Sequence, residues 1–109
     1  MADTESELLK GEQLLAEFEY EKARKKFNDV IKADPKNARA HFGKAEASLG
    51  VQKVSSEEIM ELYKKAWELE PENVFYLTSL GSFCTEIGRF NEAEQYYNKA
   101  TEIDEENAS

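Results

Sequence analysis

The stretch GRFNEAEQYYNKATEID, Gly88 to Asp104, repeats a pattern met seventy residues earlier in FEYEKARKKFNDVIKADP, Phe18 to Pro35. Ala93, Tyr97, Ala100 and Ile103 stand at the spacings of Ala23, Phe27, Val30 and Ala33, with charged or amide residues in the gaps. A third copy, EIMELYKKAWELEP, carries the ladder Ile59, Tyr63, Ala66 and Leu69. Apolar residues three and four apart fall on one face of a helix. Three such copies make an internal repeat, the signature of a stacked array.

Working outward, the segment before each ladder reads as a first helix containing a small residue where a neighbour can approach. These are Gly11 in ELLKGEQLL, Ala45 in AHFGKAEASL and Gly81 in YLTSLGSFC. Gly11 to Ala45 is 34 residues and Ala45 to Gly81 is 36, while Ala23 to Ile59 is 36 and Ile59 to Ala93 is 34. The two extra residues therefore fall between Ala45 and Ile59, in the turn LGVQKVSSEE, where a loop absorbs length without disturbing the stack. Ser55 followed by Glu58 predicts a capping box that restarts the helix.

The chain has 109 residues, one domain's worth, and its charged residues, 34% of the total, favour exposed helices over sheets. Its net charge of −9 repels phosphate backbones and anionic headgroups, which argues against nucleic acid and membrane surfaces as partners. From Glu72 onward eight acidic residues face only Arg89 and Lys99, so an acidic C-terminal end is expected. The single cysteine, Cys84, precludes an internal disulfide and fits a reducing compartment. The acidic start MADTESELLKGEQ lacks the features of a signal peptide and reads as a natural beginning; a soluble, cytoplasmic protein is expected.

These residues resemble tetratricopeptide repeats, helix-turn-helix units of 34 residues with the pattern W-x2-L-G-x2-Y, A-x3-F, P. In the third copy Leu77, Leu80, Gly81, Gly88, Phe90, Ala93, Tyr97 and Ala100 follow that pattern, with departures at Cys84 and Glu105. In the first copy Gly11, Leu14, Tyr20, Ala23, Phe27 and Pro35 match, and Glu7 and Lys10 depart. The second copy departs at Lys44, Ser48 and Ile59, with His41 where a large aromatic is usual. The resemblance implies an all-α fold, an alpha-alpha superhelix of three helix-turn-helix repeats over residues 4–107, divided near 4–37, 38–73 and 74–107. It also implies first helices lining an inner groove and second helices forming the outer wall.

On that scheme the groove presents Glu5, Leu8, Leu9, Glu12 and Leu15 from the first unit, and Arg39, Phe42, Gly43, Glu46 and Leu49 from the second. The third unit presents Phe75, Thr78, Ser79, Ser82 and Thr85. Leu8, Leu15, Phe42, Leu49 and Phe75 would form an apolar floor around Glu12 and Glu46. A helix or extended peptide with apolar anchors and a Lys or Arg would suit it. One branch of the family clamps acidic chaperone tails with cationic and amide side chains. The equivalent positions here hold Leu8, Glu12, Gly43, Phe75 and Ser79, so that clamp is absent.

No catalytic constellation, metal-ligand spacing or phosphate-binding glycine loop is visible, and no catalytic, cofactor or metal residue is assigned. His41 and Cys84 read as packing residues, and Trp67 as a contact to the following unit. The expected function is thus a non-catalytic interaction module, an adaptor or scaffold. The alternative is a self-assembling protein: only DEENAS follows Ile103, which leaves the last unit uncapped. Tyr96, Tyr97 and Ala100 would then be exposed for a homodimer. The cluster Lys22, Arg24, Lys25, Lys26 and Lys32 reads as a solubilising face.

Overall fold

In a computed structural model, which describes residues 3–108, the chain forms six helices and, among those residues, no strand. They are α1 (Thr4–Ala16), α2 (Tyr20–Ala33), α3 (Ala38–Ser48), α4 (Ser56–Leu69), α5 (Val74–Glu86) and α6 (Phe90–Ala108). Each packs on the next in sequence, and α1 also reaches α3, as in an array stacked unit on unit.

Helix starts follow from side chains that satisfy free backbone N–H groups. Asp3, Asn37, Ser55 and Asn73 each accept from a backbone N–H two or three residues on. Ser55 caps α4 as expected, taking the N–H of Glu58 at 3.1 Å. The Glu58 carboxylate does not complete a capping box; it pairs with Arg24 of α2 instead.

The ladder residues lie where their period places them. Ala23, Phe27 and Val30 are buried, as are Ile59, Tyr63 and Ala66, and Ala93 and Ala100. Two positions deviate: Ala33 is exposed at the end of α2, and Tyr97 stays 39% accessible because no further helix covers α6 among the described residues. Ala100 is buried, which corrects its expected exposure.

Glycines set how closely the helices approach. A Cβ on Gly11 would stand 2.9 Å from the Phe27 ring, and one on Gly43 closer still. One aromatic ring therefore fills the space left by two glycines on two different helices. Gly81 meets Tyr97 in the same way in the last helix pair. The two extra residues lie in the α3–α4 turn, which folds Val51 back into a buried position.

Candidate partner-binding groove

The first helices α3 and α5 meet through aromatic side chains. The Phe42 ring lies 5.1 Å from Phe75, 5.1 Å from Tyr76 and 5.7 Å from Tyr63 between centroids, and Tyr63 lies 5.6 Å from Phe83. Such tilted and edge-on contacts add to the burial of the rings. Phe75 remains 60% exposed above this cluster.

Beside it is a cavity of about 250 Å³ bordered by Glu46 of α3, Leu49 at the C-terminal cap of α3, Tyr63 of α4, and Phe75, Ser79, Ser82 and Glu86 of α5. The structure thus brings together five of the expected groove residues: Glu46, Leu49, Phe75, Ser79 and Ser82. Tyr63 donates its hydroxyl proton to Glu46 at 2.7 Å. Burial, aided by that hydrogen bond to a carboxylate, pushes the Tyr63 phenol well above its ordinary range. The site is acidic through Glu46 and Glu86, and no cation borders it.

Other expected residues lie elsewhere. Leu8 is 2% exposed, packed with Ala23, Phe27 and Val30, so it belongs to the core and not to the groove floor. Gly43 is likewise a packing position beneath Phe27. Leu15 is half-buried against the same core. Phe42 is half-buried beneath Phe75, and Thr78 turns its hydroxyl back to the Phe75 carbonyl at 3.1 Å.

Glu12 is not available as a lone acid. Arg39 donates to both of its oxygens, at 2.7 and 2.6 Å, and to Glu5 at 2.9 Å. Those carboxylates hold the Arg39 guanidinium charged far beyond the ordinary range. The α1 end of the groove is consequently an ion-pair network of one cation and two carboxylates, which keeps one negative charge, and Glu46 and Glu86 add two more along the groove.

Sequence reasoning missed Glu86 and Tyr63. Glu86 follows Ser79 by seven residues and Ser82 by four, so the helical period carried the signal. Tyr63 belongs to the second-helix ladder, and nothing in the sequence shows that its hydroxyl reaches the groove.

The remaining reactive side chains are packed away. His41 is buried with Nε2 2.9 Å from the Pro35 carbonyl, to which it donates, while its Nδ1 has no partner. Cys84 is fully buried beside Met60, and burial pushes its thiol up. Trp67 packs edge-on against Tyr96 at 5.8 Å, joining α4 to α6. No group of metal-ligating residues occurs among the described residues, and none of their helices is long and apolar enough to cross a membrane.

Paired antiparallel helices with glycine-mediated contacts and a groove between first helices define a helical repeat scaffold for protein interaction. Tetratricopeptide repeat models match residues 8–67 and 76–107, and the chain belongs to that family. No curated protein sequence matches it significantly.

Among solved structures, it is similar to MamA 41-end from Desulfovibrio magneticus RS-1, at 27% identity with a TM-score of 0.87. That match covers 94% of this chain and 57% of the other. The chain therefore spans little more than half the length of that relative. It is also similar to the second TPR of Spaghetti (RPAP3) bound to the HSP90 peptide SRMEEVD, at 28% identity and a TM-score of 0.80, covering 92% of this chain and 91% of the other. Proteins of this family are generally non-catalytic interaction modules.

Proposed function

We propose that this chain is a non-catalytic adaptor, acting as one domain over residues 4–107, whose α3–α5 groove receives a partner segment carrying an apolar anchor and a Lys or Arg. The observation that carries this reading is Phe75, exposed over the Phe42 cluster and bordering the same cavity as Glu46 and Glu86. An apolar side chain placed on Phe75 removes two hydrophobic surfaces from water, and a cation beside it meets two carboxylates. The same charges disfavour an acidic tail such as the peptide in the RPAP3 complex. A buried, unpaired thiol suits a reducing, cytoplasmic setting.

The test is a titration of the folded chain with two peptides, one of alternating Leu and Lys and one of sequence SRMEEVD. The basic peptide should bind, and Phe75→Asp or Glu46→Gln with Glu86→Gln should weaken it at least tenfold. Tighter binding of SRMEEVD would overturn the reading.

A second reading, self-association through α6, draws on Phe90 and Tyr97, which are seven residues apart on one helix face and 65% and 39% exposed. Sedimentation across a wide concentration range tests it; a mass fixed at that of one chain removes it.

A further inference from the structure

The length anomaly of the second helix pair builds a second cavity, of about 380 Å³, away from the groove. Glu21, Arg24, Lys25 and Asn28 form one stripe of α2; Lys44 faces them from α3, and the α3–α4 turn contributes Val51 and Lys53. Lys44 is two residues from both Phe42 and Glu46, so it lies on the opposite side of α3 from the groove. The two inserted residues belong to the turn that brings Lys53 to the rim.

In a chain of net charge −9, this cavity is locally cationic. Arg24, Lys25, Lys44 and Lys53 stand against Glu21 on the rim and the Glu58 paired with Arg24, a surplus of two positive charges. Arg24 is fixed by its Nε donating to the buried Ser48 hydroxyl at 2.8 Å. The Lys44 ammonium has only a neutral oxygen as partner, Asn28 Oδ1 at 2.9 Å. Burial, and then the charge of Arg24, push the Lys44 ammonium down from its ordinary range, against a smaller opposing pull from Glu58.

A phosphorylated side chain supplies about −1.5 to −2 charges and three strong acceptor oxygens. The cavity volume also exceeds what a bare ion needs, since one water's share of the liquid is about 30 Å³. We propose that this cavity is a binding site for a phosphoserine or phosphothreonine side chain of a partner peptide, held by Arg24, Lys25, Lys44 and Lys53. It is independent of the groove, so the protein offers one acidic and one basic surface to its partners.

The experiment follows amide and Lys side-chain NMR signals at constant ionic strength. The probes are a short phosphoserine peptide, its unphosphorylated form and inorganic phosphate. The phosphopeptide should give saturable shifts confined to residues 21–28, 44 and 50–53, at concentrations at least tenfold below those needed by either other probe. Lys25→Gln with Lys44→Gln should weaken it at least tenfold. Lys65→Gln with Lys99→Gln, which removes the same charge elsewhere, should leave it within twofold. Equal binding of the unphosphorylated peptide or of inorganic phosphate overturns the proposal, as does equal loss in the two double variants. Both variants are first checked for unchanged helical content and unfolding midpoint.

Discussion

Tyr63, on the second helix of the middle pair, donates its hydroxyl proton to Glu46 on the first helix of that pair, at 2.7 Å. The bond joins a buried ring to a groove carboxylate. It therefore couples the stability of the scaffold to the chemistry of the groove.

The Tyr63 phenol is raised mainly by burial and secondly by its hydrogen bond to Glu46, from an ordinary value of 10.0. Its contribution is fully present below that value. Above it the unfolded chain releases a proton that the folded chain retains, so stability falls as pH rises. Urea unfolding midpoints should decline above about pH 10, and Tyr63→Phe should make that decline shallower. An identical alkaline slope in the variant would refute the coupling.

Phe18 has φ 64° and is 74% exposed, in the turn between α1 and α2. Gly88, seventy residues on, has φ 83° in the equivalent turn. A left-handed conformation costs a residue with a Cβ about 1–2 kcal/mol, while glycine bears an entropic cost of about 0.5–1 kcal/mol. Phe18→Gly should therefore stabilise the chain by about 0.5–1 kcal/mol in denaturant unfolding. A destabilised variant would mean that the ring contact of Phe18 with Tyr20, at 6.2 Å, outweighs the backbone strain.

Gly43→Ala places a methyl group against the Phe27 ring, which is fully buried and has nowhere to retreat. Overpacking of this kind costs about 1–3 kcal/mol. The loss should be partly restored when Phe27→Leu is added, and a strictly additive double variant would show that the two positions do not share the space.

Leu8 and Leu9 are adjacent on α1 but differ in burial, the first in the core and the second in solvent. Leu8→Ala should cost about 2–4 kcal/mol, and Leu9→Ala less than about 0.5 kcal/mol. Equal costs would contradict the placement of α1.

The repeat, the six helices and the site of the inserted residues were legible because each rests on a period or an offset. Ala23, Phe27 and Val30 could be placed on a core face by counting alone. Leu8 could not: an Ala or Leu at a helix edge is sorted inward or outward by the roll of that helix against its neighbour. Glu12 was expected as a free acid, and its pairing with Arg39 depends on a contact 27 residues away in sequence. Glu58 looked like half of a capping box and was drawn off by Arg24, since two competing partners at one carboxylate are settled only by tertiary distance. Gly43 was expected on the groove face, and its packing purpose appears only with the Phe27 ring beside it.

Phe27 lies against glycines of both α1 and α3, so the first three helices share one ring. Parting α1 from α2, or the first helix pair from the second, must unseat it. At the other end, α6 rests chiefly on α5, with Trp67 against Tyr96 as a tie to α4. The molecule should then unzip directionally: amide hydrogens of α6 exchange through small local openings, while those around Phe27 exchange only when the array comes apart as a whole.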